Sequence, residues 1–194
     1  MASTDKPTDP EFTSSSTPLA PEGTDDYFIF DVILRFLLFA ASVVAVVVMV
    51  TSNETEIVLF QGIPVPQPAK FRYSPAFIYF VAAFSVSGLY SIITTLASLS
   101  VIRKPHLKTK FLLHFIFWDV LILGIIASAT GTAGGVAYVG LKGNKHTNWA
   151  KICSTYDKFC KHTGGSIAVA LFGSIVTVLL IWLSAYAIHR RIPK

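Results

Sequence analysis

Charge is what this sequence lacks. Asp, Glu, Lys and Arg make up 14% of its 194 residues, where a soluble domain carries about 25%. The hydrophobic residues, 53% of the chain, are instead gathered into four long runs that a soluble core would not require. Motifs of catalysis are missing too: there is no HExxH, no Ser-His-Asp set and no carboxylate pair placed in a common cavity. Five histidines (His106, His114, His146, His162, His189) are scattered without ligand spacing, so no metal or cofactor is expected. No basic n-region with a short apolar stretch opens the chain, which argues against a signal peptide. The net charge of +5 lies in loops and at the C-terminus, with no aromatic-interleaved groove. It predicts contact with lipid headgroups and no nucleic-acid partner.

What is present reads as an all-α membrane protein, a bundle of four transmembrane helices. Residues 1–26, rich in Ser, Thr, Pro and acidic groups, cannot bury enough surface to order themselves and are expected to form a disordered tail. The membrane domain then covers 27–191, with spans at about 27–50, 76–102, 111–135 and 166–188. Each exceeds the roughly 20 residues that a ~30 Å hydrocarbon core demands. Loops 51–75 and 136–165 fall on one side; loop 103–110 and the short tail 192–194 fall on the other. Gly62, Pro64, Pro66, Pro68 and Pro75 disfavour a long helix in the first loop and favour an extended, turn-rich path.

Orientation follows from charge density beside the membrane. The loop RKPHLKTK holds four Lys or Arg in eight residues, and the last five residues hold three more. Short basic connections stay cytoplasmic, which predicts both termini inside. The only cysteines, Cys153 and Cys160, then fall in an outer loop, where a disulfide persists; two free or redox-active thiols are the alternative. Asn53-Glu54-Thr55 fits a glycosylation acceptor, a few residues past the first span.

Two ionisable residues stand inside the apolar slab. Asp119 is ninth from Phe111 in the third span, and Arg35 is eighth from Phe28 in the first. The two spans run parallel, so both charges lie about 10–12 Å inside the same face. A carboxylate there costs at least ~2.5–3.5 kcal/mol. A guanidinium can meet it through two parallel hydrogen bonds, and an Arg35–Asp119 contact is predicted, within one bundle or between protomers. In the rival arrangement Asp31, four residues before Arg35, takes the arginine locally, leaving Asp119 protonated or facing His114 or water. Such a pair fixes helix register and assembly; alternatively it marks a proton or ion path. Gly88 in the second span, and Gly124, Ala127, Gly131 and Gly135 in the third, let helix backbones approach closely, inside one bundle or between protomers.

Arg35, Asp119 and the cysteine-bearing outer loop, together with the stretches FLLFAASVVAVVVMVTSNET and SPAFIYFVAAFSVSGLYSIITTLASLS, resemble subgroup one of the plant Casparian strip membrane domain-like (CASP-like) proteins. The resemblance covers about Asp31 to Arg191, and Arg35 and Asp119 match that family's intramembrane hallmarks. The layout is also similar to the MARVEL four-span fold. The resemblance implies a multi-pass plasma-membrane scaffold, not an enzyme, that assembles with itself and with related four-span members in the lipid bilayer. Secreted wall-modifying enzymes are its implied recruits. The founding members' first-loop signature, roughly E-[ST]-L-P-F-F-T-Q-F, is replaced by Glu54-Thr55-Glu56-Ile57-Val58-Leu59-Phe60, so strip building itself does not come with the resemblance. The rival functions are a small proton- or ion-coupled transporter or channel using Asp119, and a vesicle-trafficking tetraspan.

Overall fold

The structure, a computed structural model, describes residues 24–60, 62–102 and 108–189. Most of the expected N-terminal tail, the centre of the basic loop and the C-terminal tail lie outside those residues. Four helices dominate: α1 (Thr24–Thr51), α2 (Pro75–Ile102), α3 (Lys108–Lys142) and α4 (Asp157–His189). Between α1 and α2 come strands β1 (Asn53–Phe60) and β2 (Ile63–Lys70) and a 3-10 turn, Phe71–Tyr73. All four helices are long and apolar enough to cross a membrane. Hydrocarbon offers the backbone no partner, so the β-branched run Val43–Val50 is helical despite its weak propensity in water.

The helices pack in a ring, α1 against α2 and α4, and α3 against α2 and α4, so that α1 and α3 stand on a diagonal. Leu38, Met49, Phe80, Phe84, Ile126 and Leu180 fill the centre. Small residues bring the backbones together around them: a side chain on Gly173 would touch Leu38, Ala41 and Phe84 at 3.7 Å. Outside, Ile33, Phe36, Val47, Ile93, Leu121, Phe172 and Trp182 are exposed. Apolar residues on every face are the mark of helices whose solvent is lipid.

Several elements run farther than the predicted spans. α1 starts at Thr24, inside the segment read as tail, and α3 continues seven residues past Gly135. α4 starts at Asp157, nine residues before Ser166. The loop between α3 and α4 is correspondingly short. α3 stops at Gly143 (φ 69°), whose missing side chain avoids a 2.7 Å clash with the Trp149 carbonyl. Asn144 and Trp149 then exchange backbone hydrogen bonds of 3.0 Å.

The first loop takes the extended path expected of it, as an antiparallel hairpin with Val58 opposite Val65, Ile57 opposite Pro66 and Leu59 opposite Pro64. Three prolines at alternate positions are compatible with a ladder in one way only. Residues 64, 66 and 68 must turn their nitrogens away from β1, where no donor is needed. The outer edge of β2 is thereby stripped of donors and cannot accept a further strand in the usual way. Proline composition spoke against helix; its alternation is what permits a strand.

The same parity makes a prediction. The Val58 N–H faces β2 and the Ile57 N–H faces away. Val58→Pro should therefore abolish the hairpin, exposing residues 53–70 to limited proteolysis, while Ile57→Pro leaves them protected. Equal protection in both variants would refute the register.

Candidate functional site

Arg35 and Asp119 are both fully buried, and the arginine reaches Asp119 across the diagonal of the bundle. Nη1 donates to Asp119 Oδ1 at 3.3 Å and Nη2 to Oδ2 at 3.2 Å. These are the two prongs of a guanidinium–carboxylate fork. The local contact of the rival arrangement is present as well, without taking the arginine from Asp119. Arg35 Nε donates to Asp31 Oδ2 at 3.0 Å, one helical turn away on α1. The two contacts are not exclusive, because a guanidinium carries donors on more than one side.

Two groups on α2 complete the cluster. The Tyr90 hydroxyl donates to Asp119 Oδ1 at 2.6 Å, and Ser98 Oγ donates to Asp31 Oδ2 at 2.9 Å. The guanidinium carbon also lies 4.9 Å from the centre of the Phe115 ring on α3, a cation–π distance. Three helices thus meet in one charge cluster. His114, weighed as a partner for Asp119, is on the exposed face instead, where its Nε2 accepts from Trp118 Nε1 at 2.9 Å.

Tyr90 and Ser98 were not singled out from sequence. The available signal was that Tyr90 is a phenol in the middle of a span, where a hydroxyl needs a partner. Ser98 gave no comparable signal, since serines in such helices commonly bond back to their own carbonyls. Ser42, Thr94, Thr130 and Thr177 all do so here.

α4 is outside the charge cluster and is tied by other means. Ser166 Oγ donates to the Ala45 carbonyl at 2.7 Å, and Ser52 Oγ to the Phe159 carbonyl at 3.3 Å. The Phe159 N–H, in the first turn of α4, donates to the Glu54 carboxylate at 2.8 Å. That carboxylate, from β1, caps an unpaired donor at the positive end of the helix. Cys153 and Cys160 form a disulfide, with Cα atoms 5.6 Å apart, which pins the short loop to α4's first turns. Asn53 is exposed at the head of β1.

The small residues divide into two groups. Gly88 is buried, where an added side chain would meet Ser42 at 3.6 Å and Phe39 at 4.0 Å, and packs α2 on α1. Gly124, Ala127, Gly131 and Gly135 are exposed, and a side chain built on any of the three glycines meets nothing within 4 Å. Packing among the described residues does not account for them. No group of three or more metal-ligating side chains occurs among the described residues.

Residues 25–176 match the Casparian strip membrane protein domain. Similar proteins include CASP-like protein 1D2 of Glycine max, 75% identical over the whole of both chains. CASP-like protein 1D1 of Populus trichocarpa is 60% identical, again over both full lengths. CASP-like protein 1D1 of Arabidopsis thaliana is 49% identical over 83% of this chain and 84% of its own. No solved structure matches the chain.

Removing Arg35 leaves Asp119 without a countercharge in oil, and removing Asp119 leaves the two terminal nitrogens of Arg35 unpaired, with Asp31 on Nε as its remaining carboxylate. Arg35→Ala or Asp119→Ala should each destabilise the micelle-solubilised protein by about 3–5 kcal/mol. Tyr90→Phe, which removes one hydrogen bond to a charged group, should cost about 1.5–3 kcal/mol. Denaturation followed by helical circular dichroism measures all three; an Asp119→Ala protein as stable as the parent would refute the role given to the fork.

Proposed function

Because this chain belongs to the Casparian strip membrane protein family, we propose that it is a non-enzymatic scaffold of the plasma membrane, self-associating into fixed membrane domains. Related four-span members join the same domains, and secreted wall-modifying enzymes are recruited to their outer face. Both termini are cytoplasmic in this reading, so the hairpin and the disulfide-pinned loop face outward.

The observation that carries the proposal is how Arg35 is used. Its three nitrogens all bond carboxylates, one a turn away on α1 and one across the bundle on α3, and neither it nor Asp119 is exposed. A charge committed in this way holds α1, α2 and α3 in one register, as a rigid building block requires. The exposed stripe of Gly124, Ala127, Gly131 and Gly135 supports the same reading, since helix backbones associate in lipid where side chains are smallest.

A second reading, a proton- or ion-coupled path through Asp119, draws on one feature: two carboxylates, Asp31 and Asp119, share one guanidinium. The charge count leaves room for a bound proton or cation.

Two measurements separate the readings. Gly131→Leu should leave the monomer's stability unchanged, because the site is open, yet speed fluorescence recovery after photobleaching at the cell surface. Recovery as slow as the parent's would remove the stripe from the assembly. In reconstituted vesicles Asp119→Asn should change no proton or ion flux; a flux present in the parent and lost in this variant, with assembly intact, would replace the scaffold by a transporter.

A further inference from the structure

Between α3 and α4, at the end of the bundle that bears the hairpin, lies a half-open cavity of about 320 Å³. That is the lower range of small-molecule sites. One wall is α3 from Gly134 to Leu141; the other is α4 from Phe159 to Ile167, with the disulfide closing one end. Phe77 of α2 stands against Phe159 at the back, ring centres 6.2 Å apart. No charged side chain contributes to the lining.

One polar atom on this wall is out of place. Thr163 is 2% exposed, and its Oγ1 has no hydrogen-bond partner. The usual acceptor for a helical threonine, the carbonyl four residues earlier, belongs here to Phe159 and already receives the Ser52 hydroxyl. A buried hydroxyl without a partner costs ~1–3 kcal/mol, so the site is incomplete as it stands.

We propose that this cavity binds a sterol, whose single hydroxyl pairs with Thr163 Oγ1 and whose rigid apolar body lies along the α3–α4 wall. The lining selects among membrane molecules. A phospholipid headgroup brings a phosphate, for which the cavity has no countercharge. A bare acyl chain leaves Thr163 unsatisfied. Water would satisfy it, but needs two to four polar partners of its own, and the buried wall supplies one hydroxyl. The glycines shape the recess: a side chain added on Gly134 or Gly140 of α3 would meet Ile167 at 4.0 Å or Cys153 at 3.9 Å, and Gly164 on α4 leaves its part of the wall flat. At Gly164 an added side chain would meet nothing within 4 Å, so the space beside it is open.

The test uses the full chain in phosphatidylcholine nanodiscs with a photoreactive, alkyne-tagged sterol, the crosslinks being mapped by mass spectrometry. Saturable labelling is expected on residues 134–141 and 159–167, competed by untagged sterol and not by the same ring system lacking its hydroxyl. Thr163→Val keeps the shape and removes the hydroxyl, and should weaken binding about 3- to 10-fold. Gly164→Phe fills the cavity and should abolish labelling while circular dichroism stays that of the parent. Labelling that never saturates, maps to other surfaces, is competed equally by the ring system without a hydroxyl, or survives both substitutions would overturn the proposal.

Discussion

One guanidinium, placed where water cannot reach it, sets the terms for this bundle. Arg35 must cross the centre of the molecule to meet Asp119, because the helices that carry them stand on a diagonal. Whatever arrangement the four helices adopt has to keep that reach. Rotating α1 or α3 by one residue, about 100°, would carry a charge into lipid. Van der Waals packing alone discriminates weakly between such rotations when every helix face is apolar. The charge cluster therefore supplies register where the hydrophobic effect supplies little.

The cluster also shows how polar groups are accommodated when there is no solvent to finish the job. Asp119 accepts from Arg35 and Tyr90, Asp31 accepts from Arg35 and Ser98, and the face of Phe115 covers the guanidinium. Each partner reduces what would otherwise be an uncompensated burial. α4, which contributes nothing to the cluster, is fastened at one end by Glu54 on the Phe159 N–H and by the disulfide, and deeper in by Ser166 and Gly173. The two systems meet on α1, whose lower turns carry the charges and whose upper turns receive the hydroxyl of Ser166.

The hairpin end is held together by ties between its two loops. Glu54 caps α4, Tyr156 donates to the Gln67 carbonyl at 3.1 Å, and Cys153 and Cys160 close the loop between α3 and α4. These ties make one connected lobe from two loops that are far apart in sequence. On the outside of that lobe the prolines of β2 withhold backbone donors, and behind it Thr163 stands unpaired in an apolar recess.

Composition and hydropathy were enough to read the four crossings, because a membrane forces any long apolar run into a helix regardless of its neighbours. Depth along the spans was enough to bring Arg35 and Asp119 to one level, and the spacing of Asp31 was enough to offer it as a partner. The hairpin was hidden because proline counts speak against helix but only strand parity, a pairing property, tells a ladder from a coil. Tyr90 and Ser98 on α2, the diagonal placement of α1 and α3, and the split between buried Gly88 and the exposed glycines of α3 came only with the tertiary structure. A sequence fixes how deep a residue lies along its own helix, since the rise per residue is constant; which way it faces depends on how the other three helices pack around it.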